Sequence, residues 1–191
     1  MHNNNHATPR CPWAKQLLDV VYHDTEWGVA IYDDIKLFEF IILESAQAGL
    51  SWSTILKKRS GYKLAYSNFD PQIVAMYDDN QKNILMQNPG IVRNRLKIEA
   101  SINNAKIFLD IQKQYDSFSS YLWNFTEGKI ITGHFESITE IPASTTLSDK
   151  ISKDLKSRGF KFFGTTTCYA FLQAVGIVND HIKSCFRYNE L

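Results

Sequence analysis

The chain has 191 residues, 44% of them hydrophobic, enough for one domain with a sizeable core or for two small lobes sharing a cleft. Lys and Arg number 21 against 20 Asp and Glu, so the formal net charge of +1 excludes a globally basic nucleic-acid binder and leaves only local basic patches for such a role. Cys11, Cys168 and Cys185, with no secretory apolar region, exclude a disulfide framework, and no run approaches the ~18 apolar residues of a membrane helix, so a cytoplasmic protein without a membrane partner is expected.

In chain order, residues 1–10 (MHNNNHATPR) are polar and read as a disordered lead-in containing His2 and His6, which leaves 11–191 as a single domain. The first periodic segment runs from Asp33 to Ala48, where Leu37, Phe38, Ile41 and Ile42 form one helical stripe. Gly49 ends it, and the next helix is expected from Trp52 to Tyr66, with Ile55, Leu56, Tyr62 and Tyr66 as its apolar side. Asp70-Pro71 is an N-cap followed by proline at the first helical position. Residues 78–87 predict a short helix. After Asn88-Pro89-Gly90 a long helix is expected to open at Ile91-Val92-Arg93 and to run to about Gln114, with Ile91, Ile98, Ile102, Ala105 and Leu109 facing inward. Phe118 to Phe125 predicts a short aromatic helix, and 126–145 reads as the longest loop. Leu147, Ile151 and Leu155 recur at helical spacing before Gly159, which is placed to end their helix. Thr165 to Val175 is apolar nearly all round and predicts the central buried helix, with Cys168 an inert buried thiol. Asn179-Asp180 can cap a last short helix containing His181 and Cys185. With no alternating segment to suggest a strand, the expected fold class is all-α.

Three constellations bear on chemistry. His181 and Cys185, four apart, would share one face of a helix, and Cys11 and His23 near the other end complete a Cys2His2 set suited to zinc. A His-x-x-x-Cys pair also arises by chance and Cys11-x11-His23 is not a finger spacing, so spacing alone leaves both readings open; His2, His6 and His134 have no evident metal partner. Residues 80–100 read as helix, tight turn and helix, resembling a helix–hairpin–helix backbone clamp. Free N–H groups at the second helix start could hold a phosphate, with Arg93, Arg95 and Lys97 adding charge, although many plain connections also use Pro-Gly. Lys57-Lys58-Arg59 is better read as a solvated helix end. Glu44 lies beside the apolar face of Phe38, Ile41 and Ile42, near Trp52, Tyr22 and Trp27, which makes either an aromatic box with an acid, suited to a flat cation, or a core with a satisfied carboxylate.

Taken together, the strings Cys11-Pro12-Trp13, YHDTEWG at 22–28, LESAQAGLSW at 43–52, FDP at 69–71, RNRLKIEA at 93–100, SDKISKDLKSRGFKFFGTTTCYAF at 148–171 and VNDHIKSC at 178–185 resemble the bacterial 3-methyladenine DNA glycosylase I family, of the constitutive type. The resemblance implies a helix–hairpin–helix glycosylase-like helical fold whose termini are joined by one structural zinc, held by Cys11, His23, His181 and Cys185. It implies hydrolysis of the N-glycosidic bond of 3-methyladenine in alkylated double-stranded DNA by a monomer, releasing the free base and leaving an abasic site. Glu44 would be the catalytic carboxylate of the pocket, with Tyr22 and Trp52 binding the base and Trp13 and Trp27 nearby. The hairpin around Gly90, with Arg93 and Lys97, would grip the DNA backbone, while Gln47, Gly49 and Leu50 would enter the duplex where the base leaves. Pro12 departs from the small residue or glycine expected beside the first cysteine. Asp110 and Asp116 lie where related glycosylases place an aspartate, but the resemblance implies that this family lacks it. The alternatives are a non-catalytic helix–hairpin–helix module with structural zinc, which would not need the pocket, and a zinc-stapled helical domain, which would need neither pocket nor hairpin.

Overall fold

The computed structural model describes residues 8–191; His2, His6 and most of the polar lead-in lie outside the described residues. Nine helices carry the described residues: α1 (Leu17–Thr25), α2 (Asp34–Gln47), α3 (Trp52–Ala65), α4 (Pro71–Val74), α5 (Asp79–Gln87), α6 (Arg95–Tyr115), α7 (Phe118–Trp123), α8 (Thr146–Ser157) and α9 (Thr165–Ala174). None of them is long and apolar enough to cross a membrane.

Helix α2 is the axis of the core. Asp33 caps it by accepting from Lys36 N at 2.8 Å, and every residue from Leu37 to Ala46 is buried, Glu39 and Glu44 included. It packs on α3, α6, α7 and α9, so the apolar stripe in its sequence is matched from several sides. Phe38 meets Phe108 edge-on at 5.1 Å between centroids, and Phe108 stacks on Phe118 at 4.2 Å, which joins α2, α6 and α7. α9 is buried on one side only, at Cys168, Tyr169, Phe171, Leu172 and Ala174, so α2 rather than α9 is the central helix; Cys168 is fully enclosed, and burial pushes its thiol up to about 12.

Several expectations are corrected. α6 opens at Arg95 rather than at Ile91, because Asn94 supplies its cap, the Oδ1 accepting from Lys97 N at 3.1 Å. Ile91 is buried but belongs to the connection, where Val92 N donates to the Tyr62 hydroxyl at 3.1 Å. Inward positions on α6 include Phe108 and Ile111, while Leu109 is only half-buried. The long loop is not structureless: β1 (Ile131–Thr132) pairs in parallel with β2 (Val178–Asn179), and a short 3-10 turn spans Ile138–Glu140. That pairing takes up the segment read as a capped last helix. Asn179 Oδ1 accepts from His181 N at 3.2 Å, Cys185 N closes a turn on Ile182 O at 2.8 Å, and only then does a 3-10 turn run over Phe186–Asn189. α1 is a helix that periodicity does not reveal, because its apolar Leu17, Leu18 and Val21 face outward and its buried side is Asp19, Tyr22 and His23.

Candidate active site and metal centre

α1 places two neighbouring side chains in two different sites. Tyr22 faces a cavity of about 330 Å³, bounded also by Trp13, Trp27, Glu44, Gln47 and Trp52. The aromatic walls are tilted rather than parallel: Tyr22 and Trp52 have ring centroids 5.2 Å apart at 48°, and Trp13 stands edge-on to Trp27 at 5.1 Å and 79°. The Tyr22–Trp52 wall is held by a polar staple between the two helices. Ser53 Oγ donates to Asp19 at 2.7 and 2.9 Å, and Asp19 also closes the capping box of α1. At the start of α3, Ser51 caps Thr54 N, which fixes the backbone that bears Trp52.

The cavity is short of polar partners. The Tyr22 hydroxyl and Trp52 Nε1 are buried with no hydrogen-bond partner among the described residues. Glu44 is 4% exposed, and burial alone pushes its carboxyl up to about 8, with neither a cation nor a hydrogen bond acting against it. Burial also raises Tyr22, helped by the nearby Glu44 charge. Burial therefore favours the neutral form of Glu44, and the cavity wall offers a carboxyl, an indole donor and a phenol to whatever enters. An arrangement of this kind suits a flat, polar-edged, electron-poor ring, since a cation entering the box would restore the carboxylate.

All six of these pocket residues are singled out by the sequence, Gln47 for the duplex rather than for the cavity, and four further wall residues are not. Ile138 and Ile141 come from the segment read as loop, and Ala170 and Gln173 come from α9, whose apolar face reads as pure core. Gln173 donates to Asp180 Oδ2 at 2.8 Å, and Tyr169 OH donates to the same oxygen.

His23, on the other side of α1, meets Cys11, His181 and Cys185, and the four ligand atoms of these buried residues all lie within 4.8 Å of one another. Cys185 Sγ is 3.4 Å from both His23 Nε2 and His181 Nδ1, and Cys11 Sγ is 3.6 Å from His181 Nδ1. A tetrahedral centre with N and S ligands at ordinary bond lengths has ligand–ligand edges of about 3.5 Å, so the donor set fits a metal. The remaining ring nitrogens are already oriented. His23 Nδ1 meets Asp24 Oδ1 at 2.7 Å, Asp24 is braced by Arg10 at 2.7 Å, and His181 Nε2 meets Trp27 O at 3.2 Å. Burial lowers both imidazoles, His181 to about 4, which keeps them in the neutral form a ligand needs. His134 stays outside this cluster and bonds the Tyr188 hydroxyl at 2.6 Å.

The segment read as a hairpin consists of two helices and the turn between them. α5 and α6 are joined by a turn in which Asn88 Oδ1 accepts from Gly90 N at 2.8 Å. It is seated on α3 by an unusually close backbone approach, since a Cβ on Gly61 would lie 2.3 Å from Gly90 O. Lys58 Nζ donates to Pro89 O at 2.7 Å and ties the same two elements, while Arg59 pairs with Glu26 and Glu39 at 2.7 Å, so neither is part of a solvated cationic end. Arg93 is exposed beside the turn. Lys97 is not available to a phosphate: it is 9% exposed, and its ammonium donates to Ala46 O at 2.8 Å and Ala48 O at 2.6 Å. Once α6 starts at Arg95, Arg95 points outward and Lys97, two residues on, points into the protein. At the end of α2, Gly49 adopts φ +82 with open space around it, and Leu50 is 40% exposed. Asp110 is exposed and bonds Lys113 at 3.0 Å, and Asp116 is the left-handed end of α6, so neither faces the cavity.

A family model described as methyladenine glycosylase matches residues 13–188. The chain is 47% identical over 180 residues to a protein of Escherichia coli (strain K12) described as DNA-3-methyladenine glycosylase 1, covering 94% of this chain and 96% of that one. A crystal structure of a 3-methyladenine DNA glycosylase I superposes with a TM-score of 0.90 at 48% identity, over 93% of this chain and 98% of the other. A second structure, concerned with recognition of 3-methyladenine by the Staphylococcus aureus glycosylase I, has a TM-score of 0.88 at 40% identity, over 91% and 93% of the two chains.

Proposed function

This chain belongs to the methyladenine glycosylase family, and from that premise we propose how its pocket performs the family's reaction. It excises 3-methyladenine from alkylated DNA by hydrolysing the N-glycosidic bond, the opening step of base excision repair. The observation that carries the assignment of the pocket is the pair of buried, unpartnered polar atoms, Tyr22 OH and Trp52 Nε1, beside the buried Glu44 carboxyl and enclosed by aromatic walls.

The substrate base bears a positive charge while attached to its sugar, so it is already a good leaving group and needs little acid catalysis. The damaged nucleotide leaves the stack at a cost of a few kcal/mol, least for a lesion that stacks or pairs poorly. Its ring stacks on Trp52 and packs against Tyr22. Its cationic charge opposes the effect of burial on Glu44, and the resulting carboxylate accepts hydrogen bonds from the polar edge of the base. Water attacks the anomeric carbon, the bond to the base breaks, the electron pair leaves with the base, which is thereby neutralised, and the proton lost by the attacking water passes to solvent, leaving a hydroxyl on the abasic sugar. Glu44 is thus a recognition and charge-stabilising group. Free 3-methyladenine is the product and keeps affinity for the same box.

The double-stranded form of the substrate, the hairpin grip and the metal identity belong to the same reading. The turn at Gly90 with exposed Arg93 is a helix–hairpin–helix clamp on one phosphate backbone, and Gln47, Gly49 and Leu50 occupy the space the extruded nucleotide vacates. Two cysteines and two histidines select zinc over harder divalent ions. Zinc there would tie residues near both ends of the chain and supply folding energy. Four protein ligands leave it no open coordination position for the reaction.

The test is release of free 3-methyladenine from alkylated duplex DNA by the purified chain, with metal content measured on the same sample. Release of the base with about one equivalent of zinc per chain is the expected result. Binding to alkylated duplex without base release would instead favour the non-catalytic module.

A further inference from the structure

Two elements that the proposed function uses separately are joined by one buried side chain. α2 ends at Gln47, and the carbonyls of its last turn have no partners further along the helix. The connection from α2 to α3 is short and exposed: Ala48, Gly49 at φ +82 and Leu50, whose N–H folds back to Gln47 O at 2.6 Å. Gln47 itself lines the base cavity. The Lys97 ammonium sits against this terminus, 2.8 Å from Ala46 O and 2.6 Å from Ala48 O, where a cation is favoured by the helix dipole. It makes no ion pair with any described carboxylate, so the carbonyls are its charge partners. Lys97 stands in the first turn of α6, directly after the hairpin, and that turn is itself fixed by the Asn94 cap and by Ser101 Oγ donating to Lys97 O at 3.0 Å.

We propose that Lys97 is a positioning residue that couples the hairpin to the 47–50 loop, so that a phosphate backbone seated on the turn holds the loop in register with the cavity mouth. The proposal rests on reading the hairpin and the loop as the DNA-facing elements. Lys97 touches neither substrate nor base. It acts through the end of α2, carrying the position of the gripped backbone to the residues that fill the space left by the extruded nucleotide. Trp52 and Glu44 do not depend on it, because Trp52 is anchored through the Ser51 cap and the Ser53–Asp19 staple and Glu44 lies a turn deeper in α2.

The experiment compares Lys97→Met, Lys97→Arg and Leu50→Ala in three readouts: single-turnover excision from alkylated duplex, the salt slope of duplex affinity, and affinity for free 3-methyladenine. Misplacement of a group by about 1 Å can cost ~100-fold in rate, so Lys97→Met is expected to slow excision by about tenfold or more. Its salt slope and free-base affinity stay at the parent values, and Lys97→Arg, which keeps the cation, recovers part of the rate. A merely structural lysine would lower the melting temperature and leave the rate per folded molecule unchanged, which overturns the proposal. A salt slope reduced by about one contact would also overturn it, since Lys97 would then be on a phosphate. If Leu50→Ala leaves excision at the parent rate, the loop reading fails and the coupling fails with it. If Leu50→Ala slows excision and Lys97→Met does not, the coupling alone is wrong. Should Lys97→Met not fold, Lys97→Gln keeps an N–H donor without the charge, and the same outcomes apply to it.

Discussion

Tyr22 and His23 are consecutive residues on α1, yet the regions they serve are built on opposite rules. Around His23 the ligand atoms meet one another, and the outer ring nitrogens are already committed to Asp24 and Trp27 O. Around Tyr22 the polar atoms have nothing: the phenol and the Trp52 indole lack partners among the described residues, and Glu44 is held neutral by burial. A saturated cluster adds stability, whereas a pocket left unsaturated gives up some stability for the ligand that will complete it. Substitutions in the first region should therefore damage the fold, and substitutions in the second should damage base binding while sparing the fold.

The largest expected effect is in the metal region. His181→Ala removes one of the four candidate ligands of the proposed zinc, and the loss should be about 4 kcal/mol or more, in the range kept for broken metal sites and buried networks. Denaturant unfolding with zinc analysis on the same sample checks it. Unchanged stability at full zinc content would break the comparison from its stable side.

Next comes the pocket wall. Trp52→Ala should weaken free 3-methyladenine by ~1–3 kcal/mol through lost stacking, read by calorimetry, while the zinc stays bound. A variant that loses zinc along with base affinity would show the two regions to be one.

A pH measurement sharpens the contrast. The Glu44 carboxyl titrates near 8 in the folded chain against an ordinary value of 4.5. The folded state therefore holds a proton that the unfolded state has lost, and this group's contribution to stability falls as pH rises from about 4.5 to about 8, then levels off. Glu44→Gln removes that slope. The melting temperature of the variant minus that of the parent should grow between pH 5 and pH 8, and a constant difference would mean that Glu44 has an undetected partner. The smallest effect is expected at the turn around Gly90, the proposed clamp on the phosphate backbone. Arg93→Ala should reduce the salt slope of duplex affinity by ~0.9, one phosphate contact, with free-base affinity unchanged. An unchanged slope would take Arg93 off the backbone.

The helical class and most helices are legible because α2, α8 and α9 carry their burial in their apolar spacing. α1 is not, since the face it buries is polar and aromatic and serves two sites, while its leucines face out. The four residues that could hold a metal are legible as residues but not in geometry. His181 and Cys185 converge through a strand end and a turn, which a four-residue spacing cannot distinguish from one helical turn. Lys97 is misread for a related reason. Three cations in five residues look like one patch until the helix start is known, and only the Asn94 cap decides which of them points inward. Gln173 carries no local signal at all, because its place in the cavity comes from how α9 packs against α2 and not from its own neighbours in sequence.

Titration of free 3-methyladenine into Glu44→Gln, with intrinsic fluorescence as readout and zinc measured alongside, tests the division between saturated and unsaturated regions most directly. The substitution keeps the size of the side chain, removes its ability to become charged, and replaces one acceptor oxygen by a donor. Hydrogen bonds to a charged group are worth ~1.5–3 kcal/mol, so affinity should fall by roughly 10- to 150-fold while zinc content and helix content stay at the parent values. Parent-like affinity for the base, or a variant that unfolds, would contradict the account and make Glu44 a structural residue of α2.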